Sequence, residues 1–460
     1  MNQTIYDLVG IGIGPFNLSL AALSDQTMLK TLFIEQKQKF DWHPGLLIES
    51  TTLQVPFMAD LVTMAQPCNE FSYLNYLHEQ DRLYRFYYRE NFLIPRREYN
   101  HYCQWAAEKL SQCIFGYKVL DIRHEESSGE SHYVVHYENT LTNEEHFVAS
   151  KHIVLGVGSV PFLPQALKNV DDEHIFHSSN YMSKKQSLIS GPSDHKPTVT
   201  VLGSGQSAGE IYLDLLQQQR PSPDVADEMV LQWFTRGDGF FPMEYSKLGL
   251  EHFTPDYQAY FYGLEQSKKD QILPKQDLLY KGMSAVVIAE IYDLLYERSA
   301  CDAQPQTSLM AMSELVAVKK NTKGKRYTLQ FKHTQQEKTF EVETDSLVCA
   351  TGYSHKLPNV LAGINQLVDW DETTHKPRFK IDEQYRVKTT AKAGNIYVQN
   401  AELHTHGVGA PDLGLGAHRS AVIINDILND TLFKVRKKNA FMSFGVEQIK
   451  VTEPEVADVN

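Results

Sequence analysis

Two short glycine turns, "GIGPFN" at Gly12 to Asn17 and "GSGQSA" at Gly203 to Ala208, each sit between an apolar run and a run with helical periodicity. This repeated grammar restricts the fold more than any other feature of the chain. In a dinucleotide-binding βαβ unit the first glycine makes the tight turn and the second lets the backbone approach a pyrophosphate. A small third residue lets helix pack on strand, and the helix N-terminus faces the phosphates. "IYDLVG" then reads as a strand, "NLSLAALS" as a helix, and "TLFIEQ" as the next strand, ending at Glu35, an acid placed to bind a ribose hydroxyl. Gly12 and Gly14 take the first two glycine roles, and Pro15 suits the first helical position, whose N–H has no intrahelical partner. Asn17 stands where a third glycine is expected. The second copy is cleaner, with Gly203 and Gly205 followed by Gln206, Ser207 and the small Ala208. Its next strand, "MVLQWFTR", ends at Arg236, and a guanidinium there suits a 2′-phosphate, pointing to NADPH over NADH.

Between and after these units the pattern changes. The stretch from Tyr117 to Val148 alternates like antiparallel strands, and two prolines in "HIVLGVGSVPFLP" mark an exit from the first domain. Residues 239–300 look helical and aromatic, 313–343 alternate like a hairpin, and "SLVCATGY" is a buried strand running into a turn at Thr351 and Gly352. The expected architecture is α/β: two Rossmann-like dinucleotide-binding domains, one for FAD and one for NADPH, with a smaller helical substrate-binding region. Residues 1–165 and 346–440 form the FAD-binding domain and 166–345 the NADPH-binding domain; 239–300 supply the helical region, and 451–460 are a disordered tail. Two nucleotide folds with one return crossing are a flavoprotein layout.

Composition excludes several classes. A net charge of -13 on 460 residues argues against nucleic acid or an anionic membrane as partner, while a small cationic substrate tolerates it. The five cysteines are scattered without a CxxC pair, so neither a disulfide framework nor a metal site is expected, and reduced thiols in the cytoplasm are. Disulfide reductases of this layout need a cysteine pair by the flavin, which leaves oxygen chemistry favoured over thiol chemistry. No apolar stretch approaches the ~20 residues of a membrane span.

A family resemblance is carried by "GIGPFNLSL", "WHPG" (Trp42 to Gly45), "LQVPFMADLVT" (Leu53 to Thr63), "FSYLNYL" (Phe71 to Leu77), "GSGQSAGE", "ATGY" (Ala350 to Tyr353) and "THG" (Thr405 to Gly407). Taken in order, these resemble the flavin-dependent N-hydroxylating monooxygenases of siderophore biosynthesis, the lysine, ornithine and diamine N-hydroxylases. The resemblance implies FAD, NADPH and dioxygen: NADPH reduces the flavin, oxygen adds to give a C4a-hydroperoxide, and the substrate amine attacks its distal oxygen. It implies that Asn17 is the family's own version of the turn and one of the cofactor-binding residues, and that Trp42, His43 and Pro44 form a flavin-contacting loop. It also implies that Gln54 and Arg96 lie by the flavin ring and support flavin and nicotinamide, with Gln54 acting in catalysis. A homo-oligomer, tetramer or dimer, is implied as well.

The same resemblance bears on which amine is used. In the amino-acid hydroxylases a Lys five residues after the flavin-side Gln pairs with the substrate α-carboxylate; here that position is Ala59. Two positions that carry Asn in the ornithine enzymes fall at Leu250 and Gly282. Loss of an anion grip costs an amino acid substrate dearly and a diamine nothing. Putrescine, then cadaverine, is therefore the expected substrate, with lysine or ornithine as the alternative. A buried distal ammonium must be neutralised, and Glu244 and Asp412 are the candidates. From another class, an NADP-binding flavoprotein without oxygenase activity stays open.

Overall fold

In the computed structural model, which describes residues 5–127, 130–168, 170–190, 195–219, 229–390 and 394–446, the first glycine turn joins β1 (Ile5–Ile11) to α1 (Pro15–Ser24). Strand β2 (Thr31–Glu35) lies parallel to β1. β1 ends in an unbroken buried run because both of its faces are covered, as in parallel sheets generally. An aromatic excursion follows through α2 (Tyr73–Glu79), α3 (Leu83–Arg89) and α4 (Arg96–Lys109), after which β3 (Cys113–Phe115) pairs with β2. Strands β4 (Tyr117–Ser127), β5 (Glu130–Asn139) and β6 (Glu145–Leu155) form an antiparallel meander. β6 is long enough to serve several neighbours. Its residues Ala149–Leu155 pair with β1 on one edge, while its start pairs with β5 and its end with a strand from the far end of the chain.

A short strand, β7 (Val160–Pro161), carries the chain into a second unit: β8 (Ile175–His177), α5 (Tyr181–Ser190), β9 (Thr198–Leu202), α6 (Gln206–Gln218) and β10 (Val230–Phe234). Four helices come next, α7 (Pro255–Tyr262), α8 (Gln266–Ile272), α9 (Asp277–Tyr280) and α10 (Ala285–Arg298). Then follow β11 (Thr307–Met310), the antiparallel strands β12 (Ser313–Lys320), β13 (Tyr327–His333) and β14 (Thr339–Thr344), and β15 (Ser346–Cys349). The second parallel sheet has the order β11-β10-β9-β15-β8. On the way back β16 (Tyr353–Ser354) pairs antiparallel with β7, so the two crossings between the units run side by side. The hairpin β17 (Trp370–Asp371) and β18 (Arg378–Phe379), then β19 (Ile396–Val398), α11 (Leu403–His406) and α12 (Gly416–Leu428) complete the first unit; β19 is the strand that pairs with the end of β6.

Three expectations need correction or fall outside. The expected boundary at residue 346 is misplaced: Ser346–Cys349 pair between β9 and β8, inside the second sheet, and the return crossing begins only after them. The expected hairpin over 313–343 has a third strand, because β14 continues the same alternation after a tight turn. The tail at 451–460 lies outside the described residues. No helix among the described residues is long and apolar enough to cross a membrane.

Candidate functional site

The two glycine turns are built in the same way, each with its first glycine at positive φ. Gly12 has φ +83°, and a Cβ there would meet Gly156 O at 2.6 Å; Gly203 has φ +132°, and a Cβ there would meet Ala350 O at 2.2 Å. In each unit the first glycine thus presses on the chain leaving a partner strand, β6 or β15. Gly14 and Gly205 cap α1 and α6 in near-identical extended conformations, φ -84° and -86°, and neither helix has a side-chain cap. A Cβ on Gly14 would meet nothing within 4 Å, and one on Gly205 only Gly282 O at 3.9 Å. Two helix N-termini with unsatisfied N–H groups therefore face open space, which is the chemistry of an anion cradle. Pro15 occupies the first turn of α1.

Glu35 accepts from Ile13 N at 2.8 Å, holding the strand end against the first turn. Asn17 lies under that turn and does not face the groove. It is fully buried, donates to Gly12 O at 2.8 Å and accepts from Gln399 at 2.7 Å. An asparagine replaces the third glycine here because a side chain is needed to tie α1 to the segment after β19; its expected cofactor contact is corrected to a role beneath the turn. Arg236 is exposed just beyond β10, and no carboxylate pairs with it among the described residues. Thr351 and Gly352 form the return turn, with Gly352 at φ +81° and its carbonyl accepting from Phe162 N at 2.9 Å.

Between the turns lies a cavity of about 330 Å³. Its walls come from the loop at Trp42 and His43, the segment Leu53–Val55, Arg96, Gln206 and Ser207 at the start of α6, Met243, Tyr245, Phe253, Leu279, Tyr280, Tyr353 and Pro411–Leu413. His43 is a non-glycine residue at φ +47°, and its ring meets Tyr353 edge-on at 5.7 Å. Burial, then the Arg96 and Lys37 charges, lower its pKa to about 4, so the imidazole is neutral at ordinary pH. Gln54 brings a buried amide nitrogen, and Tyr353 a buried hydroxyl, to the wall without a hydrogen-bond partner among the described residues. Arg96 is spoken for: it donates to both carboxylate oxygens of Glu210 at 2.6 Å. Asp412 is different. Its carboxylate bonds only to Gly414 N, at 2.7 Å, no cation pairs with it among the described residues, and burial raises its pKa to about 6. Tyr245 beside it is pushed up to about 12, by burial and then by the Asp412 charge.

The other expected substrate residues fall elsewhere. Glu244 is exposed and bonds Ser246 N at 2.8 Å, because Met243, Glu244 and Tyr245 are in extended chain and alternate faces; the cavity takes the first and third. Leu250 is 41% exposed on the turn Gly249–Phe253, outside the cavity. Gly282 is buried against Met243, where a Cβ would approach to 3.0 Å, so it packs and does not line. Ala59 is buried, and its methyl lies behind the Asp412 turn, 3.9 Å from the Cβ position of Gly414. His404 donates from Nε2 to Phe379 O at 2.7 Å and His406 stacks on Tyr385, and neither lines the cavity. Sequence reasoning missed Tyr245, Phe253, Tyr280 and Glu210. The first three lie in the helical, aromatic stretch 239–300, but nothing local marked which face they take.

These residues fit two dinucleotides: two uncapped helix N-termini, two glycines opening on free space and, among the described residues, an unpartnered Gln54 amide and an unpaired Arg236. The model of the family described as L-lysine 6-monooxygenase/L-ornithine 5-monooxygenase matches residues 4–355. The chain is 43% identical to the rhizobactin siderophore biosynthesis protein RhbE of Rhizobium meliloti, over 96% of each chain. It is 41% identical to a putrescine N-hydroxylase of Shewanella oneidensis, over 96% of this chain and 85% of that one. Among solved structures it is similar to FAD-bound DfoA, the cadaverine monooxygenase of Erwinia amylovora, with a TM-score of 0.88 and 38% identity over 96% of this chain and 99% of that one.

Proposed function

Since the chain belongs to the L-lysine 6-monooxygenase/L-ornithine 5-monooxygenase family, we infer that it is an FAD- and NADPH-dependent N-monooxygenase acting on an aliphatic diamine. It hydroxylates one primary amine, of putrescine before cadaverine, on the way to a hydroxamate siderophore. When bound, FAD and NADPH reduce dioxygen, one atom passing to the amine and the other leaving as water.

The observation that carries the substrate reading is the charge on the cavity wall. Arg96 is neutralised by Glu210 and His43 is uncharged, which leaves Asp412 as the uncompensated group among the lining residues. Such a wall favours an ammonium tail and offers an α-carboxylate no partner. Asp412 holds the distal ammonium, and Met243, Leu279, Leu413 and the tyrosines enclose the methylenes. The reacting amine must be neutral, and the apolar wall lowers its pKa from the roughly 10.4 of water.

On the cofactor side, Gly12, Gly14, Pro15 and the start of α1 take the FAD pyrophosphate and Glu35 the ribose. Trp42, His43 and Gln54 take the flavin ring. Gly203, Gly205 and Ser207 take the NADPH pyrophosphate, Gln206 its nicotinamide half, Arg236 its 2′-phosphate, and Thr351 and Gly352 the crossing between the two. Residues 1–165 and 350–440 form the FAD-binding domain and 166–349 the NADPH-binding domain, with 239–300 as the substrate region. The assembly is a homo-oligomer, dimer or tetramer, in the cytoplasm. Tyr84, Tyr87, Tyr88 and Phe92, exposed on and after α3, support the oligomer, since contiguous apolar surface of this kind is usually covered.

The test is direct: putrescine, cadaverine, lysine and ornithine are assayed for hydroxylamine formed, separately from NADPH oxidised, because uncoupled turnover yields peroxide. Lysine or ornithine hydroxylated as efficiently as the diamines overturns the substrate reading.

A further inference from the structure

Arg96 and Gln206 both line the cavity, one opening α4 in the first unit and the other opening α6 in the second. Both converge on a carboxylate that does not line the cavity. Glu210, one turn behind Gln206 on α6, accepts both Arg96 contacts at 2.6 Å and the Gln206 amide at 2.7 Å. The other end of the Gln206 amide accepts from Ser284 N at 2.6 Å, the residue that caps α10. Arg96 and Glu210 side chains are only 10% and 3% exposed.

A plain domain staple would explain the ion pair but not the third contact. A bidentate pair already saturates the strong directions of a carboxylate toward a guanidinium, and buried pairs of this type often contribute little net stability. What Glu210 adds is orientation. It fixes the plane of the guanidinium and the flip of the Gln206 amide at once, so two polar groups from two domains reach the cavity in one preset arrangement. A dinucleotide with its pyrophosphate on the N-terminus of α6 would extend its nicotinamide half into the cavity that these two side chains line.

We propose that Glu210 is a positioning residue for the nicotinamide half of NADPH, acting through Gln206 and Arg96; this rests on the function proposed above. It touches neither substrate nor cofactor. Its removal therefore loosens nicotinamide placement without emptying the pyrophosphate cradle.

The test uses FAD-loaded enzyme with no amine present, and reads NADP+ affinity by calorimetry, the rate of flavin reduction by NADPH without oxygen, and the thermal midpoint. Glu210→Gln is expected to weaken NADP+ about tenfold, the scale of one lost charge-assisted contact, and to slow flavin reduction, with a drop in midpoint because the buried Arg96 charge loses its partner. Gln206→Leu, which leaves the Arg96–Glu210 pair intact, is expected to weaken NADP+ similarly, and the double variant to be little worse than either single one, since the two act on one arm. Unchanged NADP+ affinity in Glu210→Gln, or fully multiplicative effects in the double variant, overturns the proposal. If Glu210→Gln does not fold, Gln206→Leu decides: unchanged affinity there overturns it equally. Wild-type enzyme that binds no NADP+ would instead sink the functional reading on which the proposal stands.

Discussion

A carboxylate held in an apolar wall with one backbone hydrogen bond pays for its charge in solvation, and an incoming ammonium relieves that cost. Asp412 is in this position, with its pKa raised to about 6 by burial and opposed only by the Gly414 N–H and the Arg419 charge. Binding needs the ionised form, so the sign is fixed: above pH 6 the site is ready, and below it the KM for putrescine rises by about tenfold per unit as the carboxyl protonates. The KM for NADPH, which Asp412 does not touch, stays level over the same range. Asp412→Asn is expected to raise putrescine KM at least about tenfold and to abolish the acid limb of that profile; an unaltered profile would assign the ammonium to another group. Ala59 offers a second handle. Its methyl and the Asp412 carboxylate both lie within 4 Å of the same point at Gly414, so Ala59→Lys brings an ammonium to Asp412 from within the protein. Diamine KM should rise as in Asp412→Asn, measured by the same assay. Asp412 could be picked from the sequence as a charge beside a glycine-rich turn, and it lies on the cavity wall, whereas Ala59 lies behind it. Glu244 was chosen for its charge and proved to be on the wrong face, because one residue's shift in extended chain reverses direction, and only the pairing of Met243 N with Met283 O and of Glu244 N with Leu278 O fixes which face is inward.

At the scale of elements, the two strand-turn-helix units were legible because their signal is local: glycine where φ is positive, a small residue where helix meets strand, an apolar run where both sheet faces are covered. The edge between the domains was not. β15 belongs to the second sheet by pairing with β9 and β8, strands more than a hundred residues upstream, and no local pattern distinguishes it from a strand of the first sheet. The two glycines of the first turn make separable predictions. Gly12 is at φ +83° with Gly156 O in the way, so Gly12→Ala strains the fold itself. Gly14 is at φ -84° with nothing within 4 Å, so Gly14→Ala leaves the protein's own packing alone and fills only the cradle. The apoprotein of Gly14→Ala should melt within a degree or two of wild type, as neutral surface substitutions do, yet purify with depleted flavin and bind added FAD about tenfold more weakly or worse. Full flavin occupancy at wild-type affinity would mean that the pyrophosphate is held elsewhere.

For the whole molecule the relation between the two units matters more than either one, since the cavity takes its walls from both. Besides the paired crossings β7 and β16 and the Arg96–Glu210 contact, the units meet at Gly45, in the loop that also supplies Trp42 and His43. A Cβ on Gly45 would lie 1.8 Å from Ser179 O, 2.2 Å from Ser179 C and 2.9 Å from Asn180 N. All three are backbone atoms, so no side-chain rotation relieves the contact, and the loop or the second unit has to shift. Overpacking of this kind costs about 1–3 kcal/mol. Gly45→Ala is therefore expected to lower the thermal midpoint by a few degrees and, because the displaced loop carries two cavity walls, to raise the share of NADPH oxidised to peroxide without hydroxylamine. Trimming the neighbour discriminates the cause. Since the obstacle is the Ser179 carbonyl, Ser179→Gly in the Gly45→Ala background should restore neither the midpoint nor the coupling, whereas rescue by that second change would show that the side chain, and not the backbone, sets the distance between the domains.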